Sequence, residues 1–161
     1  PRPVLLHVLA SGSRLSGWGD IVTGLLCMLL LGPSDAASWL RYGVASLASM
    51  TVFISFLVLV ASLTFWIGSA SALSSQAINA ILAFATYPMS IFDGSAKLIL
   101  LTVIPAGFVG AVPAAFVRHY TGQGLAQLAA AAMVALLLAG VTFHRGLRRY
   151  ESGGLATGMG G

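Results

Sequence analysis

The chain has 161 residues, of which 58% are hydrophobic and only 7% charged, and its mean hydropathy is +0.95. A soluble domain carries about 25% charged residues, so this chain could not cover its own surface in water. The composition excludes a soluble enzyme, a disordered chain and a secreted disulfide scaffold, and points to an all-α, polytopic membrane helix bundle.

The net charge of +4 comes from bases at the ends of apolar segments. That placement suits a topology signal, and nucleic acid is not an expected partner. The chain opens Pro1-Arg2-Pro3 without a methionine. No short apolar stretch with a small-residue cleavage site follows, so the expectation is a start that lies upstream and no signal peptide. From Val4 to Leu15, the residues His7, Ser11 and Arg14 recur at helical spacing. They form a polar stripe beside Val4, Leu5, Val8, Leu9 and Leu15, which predicts an amphipathic helix over 4–15 at the cytoplasmic membrane face. The plainer alternative is a lead-in to the first span. The sharper one makes His7, Ser11 and Arg14 coupling residues of a helix that docks a cytosolic partner.

A span needs about 20 mainly apolar residues, and 15–34 is the first candidate. Asp20 lies near its start, at the positive end of the helix, and Cys27 reads as a small apolar residue. Gly32-Pro33-Ser34-Asp35 is a turn. Trp39, Arg41 and Tyr42 follow as an interfacial group. Tyr42 to Phe92 then contains no Asp, Glu, Lys, Arg or His. As one helix this run would be about 76 Å long, more than two membrane thicknesses, so it must fold back. The small and polar residues from Gly68 to Ser75 mark the reversal, giving spans over 43–67 and 72–86. Tyr87-Pro88 ends the second, because the residue before proline is pushed out of the helical region.

Asp93-Gly94-Ser95-Ala96-Lys97 is the next polar break. The uncharged run 98–117 follows and contains Pro105, Gly107, Gly110 and Pro113. Arg118-His119-Tyr120 closes it, Thr121 to Gly124 makes a turn, and 125–143 is the last span. The tail 144–161 is expected to be cytoplasmic and frayed beyond Glu151, and Arg145, Arg148 and Arg149 are its topology anchors. Arg2, His7 and Arg14 place the amino end on the same side. Both ends on one side require an even number of crossings, whereas hydropathy offers five candidates, so one does not cross: either 72–86, which is short, or 98–117, which proline and glycine break. Prolines inside a helix cost about 3 kcal/mol or more unless compensated. Irregular backbone survives at membrane depth only where protein or a water-filled cavity surrounds it. The reading is therefore about four spanning helices plus an extracellular re-entrant pair over 98–117.

No catalytic, cofactor or metal constellation stands out. Asp20, Asp35, Asp93 and Glu151 lie far apart at segment ends, as do His7, His119 and His144. There is no G-x-x-x-x-G-K-[ST] stretch, and Lys97 is the only lysine, so ATP hydrolysis is expected from a partner.

Three stretches in order carry a family resemblance: Tyr87-Pro-Met-Ser-Ile-Phe92, then Leu100 to Ala114 with its paired Pro105 and Pro113, then Gly146-Leu-Arg-Arg-Tyr-Glu-Ser152. The chain resembles the C-terminal two-thirds of the permease subunit of ABC type-2 (ABC-2 family) transporters. The resemblance implies six spans in the whole permease, with extracellular re-entrant helices between the fifth and sixth. Tyr87, Pro88, Phe92, Pro105 and Pro113 would form that re-entrant motif, and 4–15 would lie where such permeases touch their ATPase. It implies an ATP-driven exporter in a bacterial inner membrane, surrounded by lipid, with cytosolic ABC ATPase subunits and a second permease subunit as partners. The substrate class it leaves open, with the apolar lining suiting hydrophobic compounds. One departure is the turn 68–75, where similar permeases often carry an acidic residue and this chain has none. The alternative function is a non-transporting membrane scaffold or assembly factor.

Overall fold

The structure, a computed structural model, describes residues 15–32, 34–67 and 71–157. His7, Ser11 and Arg14, with the helix expected around them, lie outside the described residues. All regular structure among the described residues is helical. The chain divides into two compact units, residues 1–39 and 40–161.

In the first unit, α1 (Leu15–Leu31) stops where the Gly32 amide donates to the Met28 carbonyl at 3.0 Å, just before Pro33. The next helix, α2 (Ala36–Ser62), starts seven residues before the expected Gly43. Asp35 accounts for the difference: its carboxylate accepts the Ser38 amide at 3.0 Å and the Ser38 hydroxyl at 2.7 Å, which caps the helix start. Trp39, Arg41 and Tyr42 therefore sit in the opening turns of a helix rather than in a loop.

The second unit takes α2 onward. After a turn at Leu63 the short α3 (Thr64–Ile67) follows, and the run Ala36–Ile67 is long and apolar enough to cross a membrane. α4 (Ser71–Ala85) already includes the last residues of the reversal expected over Gly68–Ser75. At about 22 Å, α4 falls short of the roughly 30 Å hydrocarbon core. It ends before Tyr87-Pro88 as expected, and a 3-10 turn (Met89–Ile91) leads away. Gly94, at φ +53°, turns the chain into α5 (Gly94–Thr102), a left-handed conformation that only glycine adopts cheaply.

The run 98–117 is broken twice, at Val103–Pro105 and at Gly110, and only the first break holds one of its prolines. α5 is followed by α6 (Ala106–Val109) and α7 (Ala111–Arg118), and the segments Gly94–Thr102 and Ala106–Arg118 meet at a bend of 65°. The last helix, α8 (Gly122–Thr157), begins three residues before the expected boundary. Thr121 caps it by accepting the Gly124 amide at 3.0 Å. α8 does not stop at Phe143, nor fray after Glu151, but continues to Thr157. Its 36 residues span about 54 Å, well beyond a bilayer core.

Two apolar clusters hold the second unit. Phe56 and Val60 of α2, Ile81 of α4, Leu100 of α5 and Ala106 of α6 form one. Ala45 of α2, Phe116 of α7 and Leu128 of α8 form the other. Large apolar side chains around this core stay exposed, among them Leu47, Leu98, Val103, Met133 and Leu137. A water-soluble fold would bury more of them, whereas lipid solvates them without cost.

Candidate functional site

The broken element α5–α7 positions everything that could act. Past Thr102 the helical ladder loosens. The Val103 and Ile104 amides both donate to the Ile99 carbonyl, at 2.9 and 3.0 Å. Pro105, with φ −73° and ψ 40°, has no amide to continue the ladder. A second break falls at Gly110, which is pressed against the end of α4. A Cβ there would collide with the Ala85 carbonyl oxygen and lie 3.0 Å from its carbon. Pro113 breaks nothing: it is the third residue of α7, where the amide has no partner within the helix in any case.

The structure distributes the sequence-predicted motif along the broken element, and only the neighbours Tyr87 and Pro88 share a pocket. Tyr87 and Pro88 line a small pocket with Gly110, Ala114 and Arg118. Phe92 meets Phe84 edge to face at 6.0 Å, Pro113 is buried, and Pro105 faces a larger groove. The flanks of the element converge. Lys97 of α5 lines one pocket of about 420 Å³ with His119, Thr121 and Gly124.

The run Ala36–Ile67 lies antiparallel to the run from Tyr120 through α8, as contacts at its start, middle and end show. The Arg41 guanidinium lies 5.7 Å from the centre of the Tyr120 ring, just before α8. Ala45 packs with Leu128. At the far end Phe65 meets Phe143 at 6.0 Å, and Gly146 is so close to the Phe65 ring that a Cβ would strike it. Arg145 and Arg148 lie exposed beyond that end. Arg149 follows them in α8.

Between α2, the α5–α6 break and α8 lies an open groove of about 560 Å³. Its walls include Phe56, Leu59, Val103, Pro105, Val134 and Leu138, and no charged residue lines it. Its polar groups are Ser55, Thr102 and Gln127. Thr102 is satisfied by its own helix, donating to the Leu98 carbonyl at 2.7 Å. Sequence reading did not single out Ser55 or Gln127. Ser55 is one hydroxyl among many in an uncharged run, and nothing in spacing separates a groove-lining serine from a packing one. Among the described residues no three of His, Cys, Asp and Glu gather as metal ligands do.

A family model described as "ABC-2 family transporter protein" matches residues 1–154. No curated protein and no solved structure matches the chain.

Proposed function

The chain belongs to the ABC-2 transporter family, and from that premise we propose that it is the permease of an ATP-driven exporter that moves a hydrophobic substrate out of a bacterial cell. Membership makes it a transmembrane component that works with ABC ATPase partners and is not itself an ATPase. The match over residues 1–154 is the observation that carries this reading. Direction, substrate class, a second permease subunit and the inner membrane of a bacterium are the parts that we add.

In this reading four helices cross, the short α4 with local thinning of the bilayer, and α5–α7 enters from outside and returns. The bend of 65° and the pocket shared by Lys97 and His119 support it, because a re-entrant element must bring its two flanks to one side. Lys97 and Arg118 then lie outside, against the basic-residue bias. The denser cluster Arg145, Arg148 and Arg149 outweighs them and sets the α8 end in the cytoplasm. The chain does no chemistry. Its ATPase pushes from the cytoplasm against residues 4–15 and the end of α8, and the helices rearrange around the broken element.

The test is to purify the full-length permease with its ATPase subunit and measure hydrolysis in lipid. The permease alone should hydrolyse no ATP, and the assembled complex should respond to hydrophobic compounds. Hydrolysis that survives removal of every partner sinks the reading. Arg14→Glu should weaken ATPase association about ten-fold, since a reversed charge in a contact opposes its partner. Unchanged co-purification would return 4–15 to a plain lead-in.

A further inference from the structure

The groove beside the α5–α6 break contains a feature that packing does not explain. On the same helix the hydroxyls of Ser49, Thr51 and Ser62 donate to carbonyls one turn back, at 2.9, 2.8 and 2.6 Å. This is the usual way a membrane helix satisfies a hydroxyl. Ser55 makes no such bond and has no hydrogen-bond partner among the described residues, although the residue is only 3% exposed. Among the described residues no fully enclosed side-chain oxygen or nitrogen lacks a partner. The Ser55 oxygen therefore keeps a small remaining surface, and Ser55 is one of the residues that line the groove.

A hydroxyl at membrane depth finds no water to bond, and leaving it unmatched is costly. The rest of the groove fixes what could match it. Apart from Thr102 and Gln127 its walls are apolar, and none is charged, so a charged group would shed its hydration with no opposite charge to replace it. Its volume of about 560 Å³ falls within the range of about 300–1,000 Å³ usual for small-molecule sites. Along α8 it extends from Gln127 to Leu138, about 16 Å at the helical rise. Val103, Val134 and Leu138 are more than half exposed, so one side lies open to the bilayer. A long, narrow and uncharged lipophile fits, with one oxygen to meet Ser55.

We propose that this groove binds an uncharged, chain-like lipophile drawn from the bilayer, whose hydroxyl or carbonyl oxygen hydrogen-bonds to Ser55. The proposal rests on the permease reading, because it names the compound class which that reading leaves open. The experiment uses the full-length permease assembled with its ATPase in nanodiscs. Two photoreactive probes are compared, hexadecanol and hexadecane, each carrying a mid-chain diazirine, and labelled peptides are mapped by mass spectrometry. The alcohol should label the segments 101–108 and 127–138 about five-fold more than the alkane, the preference one hydrogen bond confers. Ser55→Ala should erase that preference, and Ala135→Phe, which fills the groove, should abolish labelling by both probes. Size-exclusion profiles and retained ATPase identify which variants are still assembled. Equal labelling by the two probes in the parent protein, or a preference that survives Ser55→Ala, overturns the proposal and leaves the permease reading intact. Failure to assemble with any ATPase overturns both.

Discussion

Two stretches of this chain look alike by hydropathy and run in different ways. Residues 98–117 and 125–143 are each about one span long and free of charge. The second forms part of α8, an unbroken helix. The first belongs to three short helices with breaks at Val103–Pro105 and at Gly110. The alanines and leucines of α8 lose little on entering a helix. The other stretch carries a proline without an amide and glycines that let neighbouring backbone approach. Apolar character suits both segments to a membrane, and local backbone chemistry decides which of them runs as one unbroken helix.

The most direct way to break this comparison is to ask on which side each flank lies. In a Cys27→Ala background, single substitutions Ser95→Cys, Thr121→Cys and Ser152→Cys are labelled in intact cells with a membrane-impermeant thiol reagent. The outcome is all or none. Ser95→Cys and Thr121→Cys should both label, with Ser152→Cys reacting only after lysis. Labelling at Thr121→Cys with protection at Ser95→Cys would make 98–117 a crossing segment, no different in path from α8.

A second set of variants applies one substitution, glycine to alanine, in both regions. At Gly110 the new methyl meets the Ala85 backbone, which has nowhere to go, so the cost should be about 3 kcal/mol. At Gly146 it meets the Phe65 ring, which can swing, so the loss should be about 1 kcal/mol. At Gly140 nothing lies within 4 Å, and alanine should stabilise α8 by about 0.5–1 kcal/mol through helix propensity. Thermal unfolding in detergent measures all three. Equal shifts at Gly110 and Gly140 would mean that close approach to α4 does not hold the break in place.

The outline of the fold was legible because its punctuation is local. Tyr87-Pro88, Gly94 and Thr121 each end or start a helix through their own backbone or side chain, although the expected polar break 93–97 and turn 121–124 are themselves helical from Gly94 and from Gly122. The start of α2 was less legible, since it depends on the Asp35 carboxylate reaching the Ser38 amide and hydroxyl. Hydropathy is blind to such a cap. The equal weight given to Pro105 and Pro113 also misled: one sits in a break and the other in a first turn that tolerates it. The groove was not legible at all. Ser49, Ser55 and Ser62 are equivalent in sequence, and only the structure shows that the Ser55 hydroxyl, unlike the other two, does not donate to a carbonyl one turn back.

The smallest expected effect concerns how the broken element is tied to its unbroken neighbour. Arg41 of α2 stacks over Tyr120, and Tyr120 lies in the short link between α7 and α8. The link therefore holds the exit of the broken element against the long helix. Phe116 of α7 adds a ring contact to Tyr120 at 5.6 Å. A cation over an aromatic face at a partly exposed site contributes about 0.5–1 kcal/mol, and this depends on the ring rather than on the phenol hydroxyl. Tyr120→Phe should leave thermal stability unchanged, while Tyr120→Leu should lower it by about that amount. Tyr120→Leu should also increase hydrogen exchange in α7 and spare the middle of α8. Equal loss in the two variants would place the contribution in the hydroxyl, and exchange that rises equally in α7 and α8 would show that the link does not distinguish the two regions.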